Sequence, residues 1–263
     1  MLLHIHHTTR YAYEAPLRLS TQVLRLTPRP TPGLQVQRWA LDLPGRAVPF
    51  PDTWGNAAHV LTLDGARREI LLRADGAVLT PDGPATPEPD DALPPEVFLR
   101  ATPLTEPDAA IAAFAEPLRA RLAGDPHGGL VELAAALLQR MPYIPGGTDA
   151  ATAAPQAFAN GHGVCQDHAQ VFIACLRLLG LPARYVSGYL ATDAEHVASH
   201  AWAEVRLPEG WLGFDVSNSC FADGHHVRLA YGADYLDACP VRGMRVGGGL
   251  EQLATFVRIT QDQ

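Results

Sequence analysis

The stretch "GHGVCQDHAQVFIACLRLLG", Gly161 to Gly180, decides how the rest of the chain is read. Cys165, Ala169, Phe172, Leu176 and Leu179 follow steps of four, three, four and three, so they share one helical face. Gly180 is a natural stop for that helix, and Pro182 blocks its continuation. At the other end, Gly161 and Gly163 let the backbone bend sharply into the first turn. Cys165 is therefore placed at or near the first helical position. There the helix dipole stabilises a thiolate, and first-turn N–H groups point the right way to hold an oxyanion. Cys165 also falls on the apolar face, so a buried structural cysteine is the competing reading.

The pattern changes on either side of this helix. Upstream, "DAAIAAFAEPLRARLAG" and "GGLVELAAALLQRM" have helical periodicity with glycine at their ends. Downstream, "ARYVSGYL", "SHAWAEVRL" and "GWLGFDV" are strand-like. Helices followed by strands predict an α+β core. The first ~80 residues read as short strands broken by Pro and Gly. Between the two lies "TPDGPATPEPDDALPPE", Thr80 to Glu96, rich in proline and acid. It predicts an extended linker open to limited proteolysis. The expected organisation is a β domain over 1–80, a linker over 81–106 and a core over 107–263.

A nucleophilic thiol needs a base, and the base needs an orienting group. In "SHAWAEV", His200 alternates with Ala201 on a strand, which distinguishes it from the other histidines. Asp215 in "GWLGFDV" supplies a carboxylate on the next strand. A hairpin at "LPEG" has its midpoint for positions 200 and 215 at Leu207-Pro208, which sets the two nearly opposite. A one-residue slip in register would flip the face, so register is left open. A satisfied core histidine and a strand-ending aspartate are the alternatives.

Together, "GxGVCQDHA", "GLPARYVSGYL", "HAWAEV" and "GWLGFD" resemble the transglutaminase-like superfamily of papain-like cysteine enzymes, most closely over Pro142 to Asn218. "YIPGGTDAATAA" is similar to the segment that precedes the cysteine in bacterial members. "HHTTRYAYEAPLRLSTQVLRLTPRP" and "DTWGNAAHVLTL" resemble the β domain found before the core in bacterial members. The resemblance implies a papain-like core of helices packed on an antiparallel sheet, preceded by a small β domain. It implies Cys165 as nucleophile, His200 as base and Asp215 as its orienter. The family usually follows its aspartate with Pro-Thr-Asn, and here Val216-Ser217-Asn218 stands instead.

Around the cysteine, Asp167 complements the helix dipole and His168 is a competing base about one turn away. Tyr143, Gln166 and Trp202 are candidate substrate contacts, with core packing the alternative for the aromatics. Cys175, Cys220 and Cys239 read as structural. His4, His6 and His7, and His225 with His226, lack metal-ligand partner spacing, and no metal or cofactor is expected. The acids of "PEPDD" lack the turn of a calcium loop.

The net charge of −8 gives no footprint for nucleic acid or an anionic membrane. "MLLHIHHTTR" has neither a cationic start nor an apolar run, so no secretory signal and a cytoplasmic setting are expected. The expected partner is a peptide or protein substrate. Hydrolysis is favoured over transamidation, because "ATDAEHVAS" offers only Asp193 and Glu195 to select an amine. A non-catalytic, protein-binding member of the family is the rival.

Overall fold

The computed structural model describes residues 1–83, 86–89, 93–192 and 199–261. In chain order the strands of the first half are β1 (Leu2–Leu24), β2 (Gln35–Asp42), β3 (Ala47–Pro51) and β4 (Ala57–Leu79). Helices α1 (Ala109–Ala115), α2 (Arg119–Gly124), α3 (Pro126–Arg140), α4 (Ala154–Asn160) and α5 (Cys165–Leu178) follow. Then come β5 (Ala183–Leu190), β6 (His200–Leu207), β7 (Gly210–Asp215), β8 (Cys220–Phe221), β9 (His226–Gly232), α6 (Tyr235–Ala238), β10 (Val241–Gly247) and β11 (Glu251–Gln261). Helices packed on antiparallel sheets give the α+β architecture expected from the sequence.

The first sheet is built on two long strands. In β1, Leu3, Ile5, His7, Thr9, Tyr11 and Tyr13 are buried, the period-two signature of a strand with one face covered. β1 pairs with β4 almost end to end, from Leu2 opposite Leu79 to Leu24 opposite His59. The sequence reads each of these as two strand-like runs, separated by residues 14–20 in β1 and by 66–67 in β4. The structure instead shifts register between Ala12 and Leu17, and again between Leu17 and Leu19. A proline tolerated at such an irregularity bends a strand without ending it.

Two features depart from the expected organisation. β10 and β11, assigned from sequence to the core, pair antiparallel with β1 and complete the first sheet. The Pro-rich segment is also anchored rather than free. Glu88 exchanges both backbone hydrogen bonds with Trp211, at 2.8 and 2.7 Å, and its carboxylate accepts from Arg228 at 2.7 Å. A single 3₁₀ helix over Pro95–Leu99 then buries Phe98 against Trp54, Trp211 and Tyr231.

The second sheet has the order β8-β7-β6-β5-β9, with every pairing antiparallel. Alternation along β6 divides its side chains between two cores. Ala201, Ala203, Val205 and Leu207 face the helices, and Trp202 faces the opposite side with Trp211 and Tyr231. Helix α5 lies against the first of these faces and is buried from Asp167 to Arg177 on every side. A helix buried on every side is a central one, and its buried Asp167, His168, Gln170 and Arg177 must find partners there.

Candidate active site

Gly161 closes α4 in the left-handed region at φ 72°, where a side chain would be strained. Four residues later α5 begins at Cys165, as the sequence predicts. Gly163 admits no side chain either, because a Cβ there would stand 2.6 Å from the Cβ of Asp167. Asp167 is buried and organises the approach. Its Oδ2 accepts from the Val164 N–H at 2.8 Å and from the Thr148 hydroxyl at 2.6 Å. The aspartate thus caps the helix and ties it to the upstream loop, a stronger role than complementing the dipole.

His200 opens β6 and Asp215 closes β7. The hairpin between them turns at Pro208–Glu209, with Leu207 opposite Gly210 and Ala203 opposite Phe214. The midpoint is therefore one residue later than the sequence estimate. Continued by one pair, this register sets Asp215 opposite Trp202 and diagonal to His200, on the same face. The reach is short enough for His200 Nε2 to lie 2.7 Å from Asp215 Oδ2. The Cys165 thiol is near enough to His200 to be one of the groups that raise its pKa.

The electrostatics follow from these contacts. Burial disfavours a charged His200, but hydrogen bonds to Asp215 and Cys165 and the charges on both push its pKa up to about 10. Burial also works against an ionised Asp215. Donors from His200, His226 and Asn218 more than offset it and hold the carboxyl well below the usual carboxylate range. Asn218 contributes its N–H to Oδ1 at 3.2 Å and its side-chain amide to Oδ2 at 2.7 Å. The Val-Ser-Asn variation therefore keeps the asparagine that closes the turn on Asp215.

The other residues singled out from sequence fall in different places. His168 is fully buried. Its Nε2–H donates to the Met141 carbonyl at 2.8 Å, and its Nδ1 meets the Ser217 hydroxyl at 2.9 Å. Burial lowers its pKa, so it is a neutral structural tie and not a second base. Tyr143 is half exposed beside the 163–164 backbone. Its pKa is raised by burial and by the charges of Cys165 and Asp215, which places it at the rim of the site. Gln166 donates to the Asp149 carbonyl at 3.1 Å and so braces the loop. Trp202 is 2% exposed, which removes it as a cleft wall open to substrate. It stacks beside His200 with ring centroids 6.2 Å apart, over the backbone of Gly188, where a Cβ would strike its ring.

His226 was missed. Its Nε2 lies 3.1 Å from Asp215 Oδ2. Adjacent histidines on a loop or strand are expected to point apart, yet the Nδ1 atoms of His225 and His226 both lie 3.1 Å from Asp223 Oδ1, with His225 half exposed and His226 nearly buried. Which strand His226 would face depends on sheet order, and no local pattern carries that. Among the described residues, His200, Asp215 and His226 form the cluster able to hold a metal, with ligand atoms within 4.8 Å of one another. His6 is instead engaged with Asp75, and His7 is buried against Tyr189. The 193–198 segment, with Asp193 and Glu195, lies outside the described residues.

A cysteine at the start of a central helix, packed on an antiparallel sheet that carries the histidine and aspartate, is the architecture of the papain-like cysteine-enzyme class. The chain belongs to the transglutaminase-like superfamily. Residues 113–216 match that superfamily's core, and residues 3–79 match the bacterial transglutaminase-like N-terminal region. An uncharacterized protein of Mycobacterium leprae is 28% identical over 98% of both chains. One from Mycobacterium tuberculosis is 30% identical over 91% of this chain and 86% of its own. A protein-glutamine gamma-glutamyltransferase of Pseudomonas aeruginosa is 31% identical over 46% of this chain and 21% of its own. A crystal structure from Cytophaga hutchinsonii, described as a candidate cysteine protease, superposes with a TM-score of 0.72. It covers 99% of this chain and 90% of its own, at 19% identity, a likeness of fold.

Proposed function

We propose that this protein is a cysteine hydrolase of carboxamide or peptide bonds, with Cys165 as nucleophile, His200 as general base and acid, and Asp215 as orienter. The observation that carries the proposal is the 2.7 Å contact of His200 with the buried Asp215 carboxylate, with Cys165 at the start of α5 near enough to raise the His200 pKa. An imidazolium with its pKa raised this far keeps a positive charge beside the Cys165 sulfur through the neutral range. The thiolate attacks the carbonyl carbon, and the oxygen takes up negative charge facing the first-turn N–H groups of α5. His200 then gives its proton to the departing amine, leaving a thioester on Cys165. Water, deprotonated by His200, resolves the thioester to the acid and returns the thiol.

The substrate is a peptide or protein carboxamide, and neither nucleic acid nor an anionic membrane suits a chain of net charge −8. No described helix is long and apolar enough to cross a membrane. Four free cysteines fit a reducing, cytoplasmic setting. Transamidation is the second reading, favoured by the similarity to the Pseudomonas aeruginosa glutamyltransferase.

Limiting iodoacetamide at mildly acidic pH tests the nucleophile. Burial pushes the Cys175 thiol up to about 12, and it also raises Cys220 and Cys239, each to about 11. The adduct is expected on Cys165, and faster labelling of any of the other three removes it from the role. Partition of an accepted acyl donor between water and a millimolar primary amine separates the two reactions. Acid as the main product is expected, and amide as the main product makes the protein a transamidase.

A further inference from the structure

Asp215 is held by more donors than one imidazole requires. Its Oδ2 accepts from His200 Nε2 and from the Asn218 amide, each at 2.7 Å, and lies 3.1 Å from His226 Nε2. His226 has a side chain only 4% exposed, and its second nitrogen is also engaged. His226 Nδ1 lies 3.1 Å from the Asp223 backbone N–H and 3.1 Å from Asp223 Oδ1. A carboxylate only accepts, so the 3.1 Å contact of His226 Nε2 with Asp215 Oδ2 puts a hydrogen on Nε2, aimed at Asp215. The Trp202 ring stands edge-on to His226, with centroids 5.3 Å apart, and stacks beside His200. Two imidazoles therefore meet one carboxylate, and the Trp202 ring packs beside both.

We propose that His226 is a positioning residue of this site, whose Nε2–H fixes the Asp215 carboxylate in the orientation that serves His200. The proposal rests on the reading of Cys165, His200 and Asp215 as the reacting triad. A wholly buried carboxylate is ionised only while donors offset its lost hydration. Removing His226 takes one donor from the oxygen that His200 uses. The carboxylate then turns or takes up a proton, and the His200 imidazolium loses its countercharge. The Cys165 thiolate loses its own partner in consequence.

The test is the rate of Cys165 alkylation by iodoacetamide against pH, in the wild-type protein, His226→Gln and His226→Phe. Glutamine offers an amide N–H near the place of Nε2, and phenylalanine fills the space without a donor. His226→Gln is expected within about twofold of wild type. His226→Phe is expected to lose about tenfold at mildly acidic pH and to recover near pH 10, a shift of about one unit in the titration midpoint. A wild-type profile in His226→Phe overturns the proposal, as does an equal loss in both variants, since the donor would then not be what matters. If the variants do not fold, ¹⁵N-histidine NMR of the wild-type protein at pH 8 decides. The Nε2–H tautomer of His226 is expected, and the Nδ1–H tautomer overturns the proposal. Wild-type Cys165 reacting no faster than the other cysteines overturns the triad reading, and this one with it. A reactive Cys165 with an indifferent His226→Phe overturns this one alone.

Discussion

His200 and Asp215 shift in opposite directions, and the pair makes stability at this site depend on pH at both ends. His200 binds its proton more tightly in the folded chain, with its pKa raised from 6.5 to about 10. Its contribution is complete below 6.5 and lost as pH rises toward 10. Asp215 holds its proton less tightly when folded, so its contribution is present above its ordinary 3.8 and lost as pH falls. Melting temperature should therefore decline between pH 6.5 and 10, and Asp215→Asn should flatten that decline. An unchanged slope in the variant would show that the two groups are not coupled. The same substitution removes the anion that stabilises the imidazolium, and by comparison with serine triads turnover should fall on the order of 10⁴-fold. The residues whose placement follows from local pattern were legible: a cysteine after glycines at a helix start, a histidine and an aspartate on strands flanking a tight turn. His226 was not legible, because it reaches Asp215 from β9, and β9 sits beside β5 rather than beside β7.

At the scale of elements, β6 carries charge into a core as well as the proposed catalytic histidine. Glu204 is buried between Arg184 at 2.6 Å and Arg228 at 2.8 Å, and Arg228 reaches on to Glu88 at 2.7 Å. Burial favours a neutral Glu204, but the two guanidinium groups outweigh it and lower its pKa. The Arg184 guanidinium lies over Tyr231 at 3.8 Å and Trp211 at 4.2 Å. The chain thus links β5, β6, β9 and the 86–89 segment behind the site. Deleting one member of a buried ion network leaves its partner uncompensated, at a cost of about 3–5 kcal/mol. Glu204→Ala should lower stability by that amount in urea titration, and a loss under 1 kcal/mol would mean the arginines find water. Period-two alternation gave Trp202 and Glu204 one face but not what covers it. That cover comes from Phe98 and Glu88, in a segment whose composition reads as linker. Proline-rich composition sets backbone stiffness, and it says nothing about a single glutamate finding a backbone partner.

The whole molecule closes on itself through its ends. β11 pairs with β1 from Glu251 opposite Tyr13 to Gln261 opposite Leu3, so Leu3 and Gln261 lie side by side. No local pattern announces this, because strand periodicity gives a face and never a partner. The two sheets also share a core. Leu3, Ile5, Leu34, Val78 and Val257 pack with Tyr189, Val227 and Leu229, and the Asn56 side chain exchanges hydrogen bonds with the Tyr231 backbone at 2.7 and 3.0 Å. Residues 1–83 alone are consequently an incomplete sheet. Without β10 and β11, β1 would expose one edge over most of its length, and an open edge of that length invites association. A permuted chain avoids this: residues 240–261, a short Gly/Ser hairpin linker, then residues 1–83. Antiparallel neighbours with adjacent ends accept such a link, and close termini favour permutation generally. We predict that 1–83 aggregates or unfolds without a cooperative transition, and that the permuted chain is soluble and melts cooperatively. Sedimentation and thermal circular dichroism read both properties. If 1–83 alone is a cooperative monomer, the C-terminal strands decorate the first sheet without completing it, and the boundary near residue 80 stands as the sequence drew it.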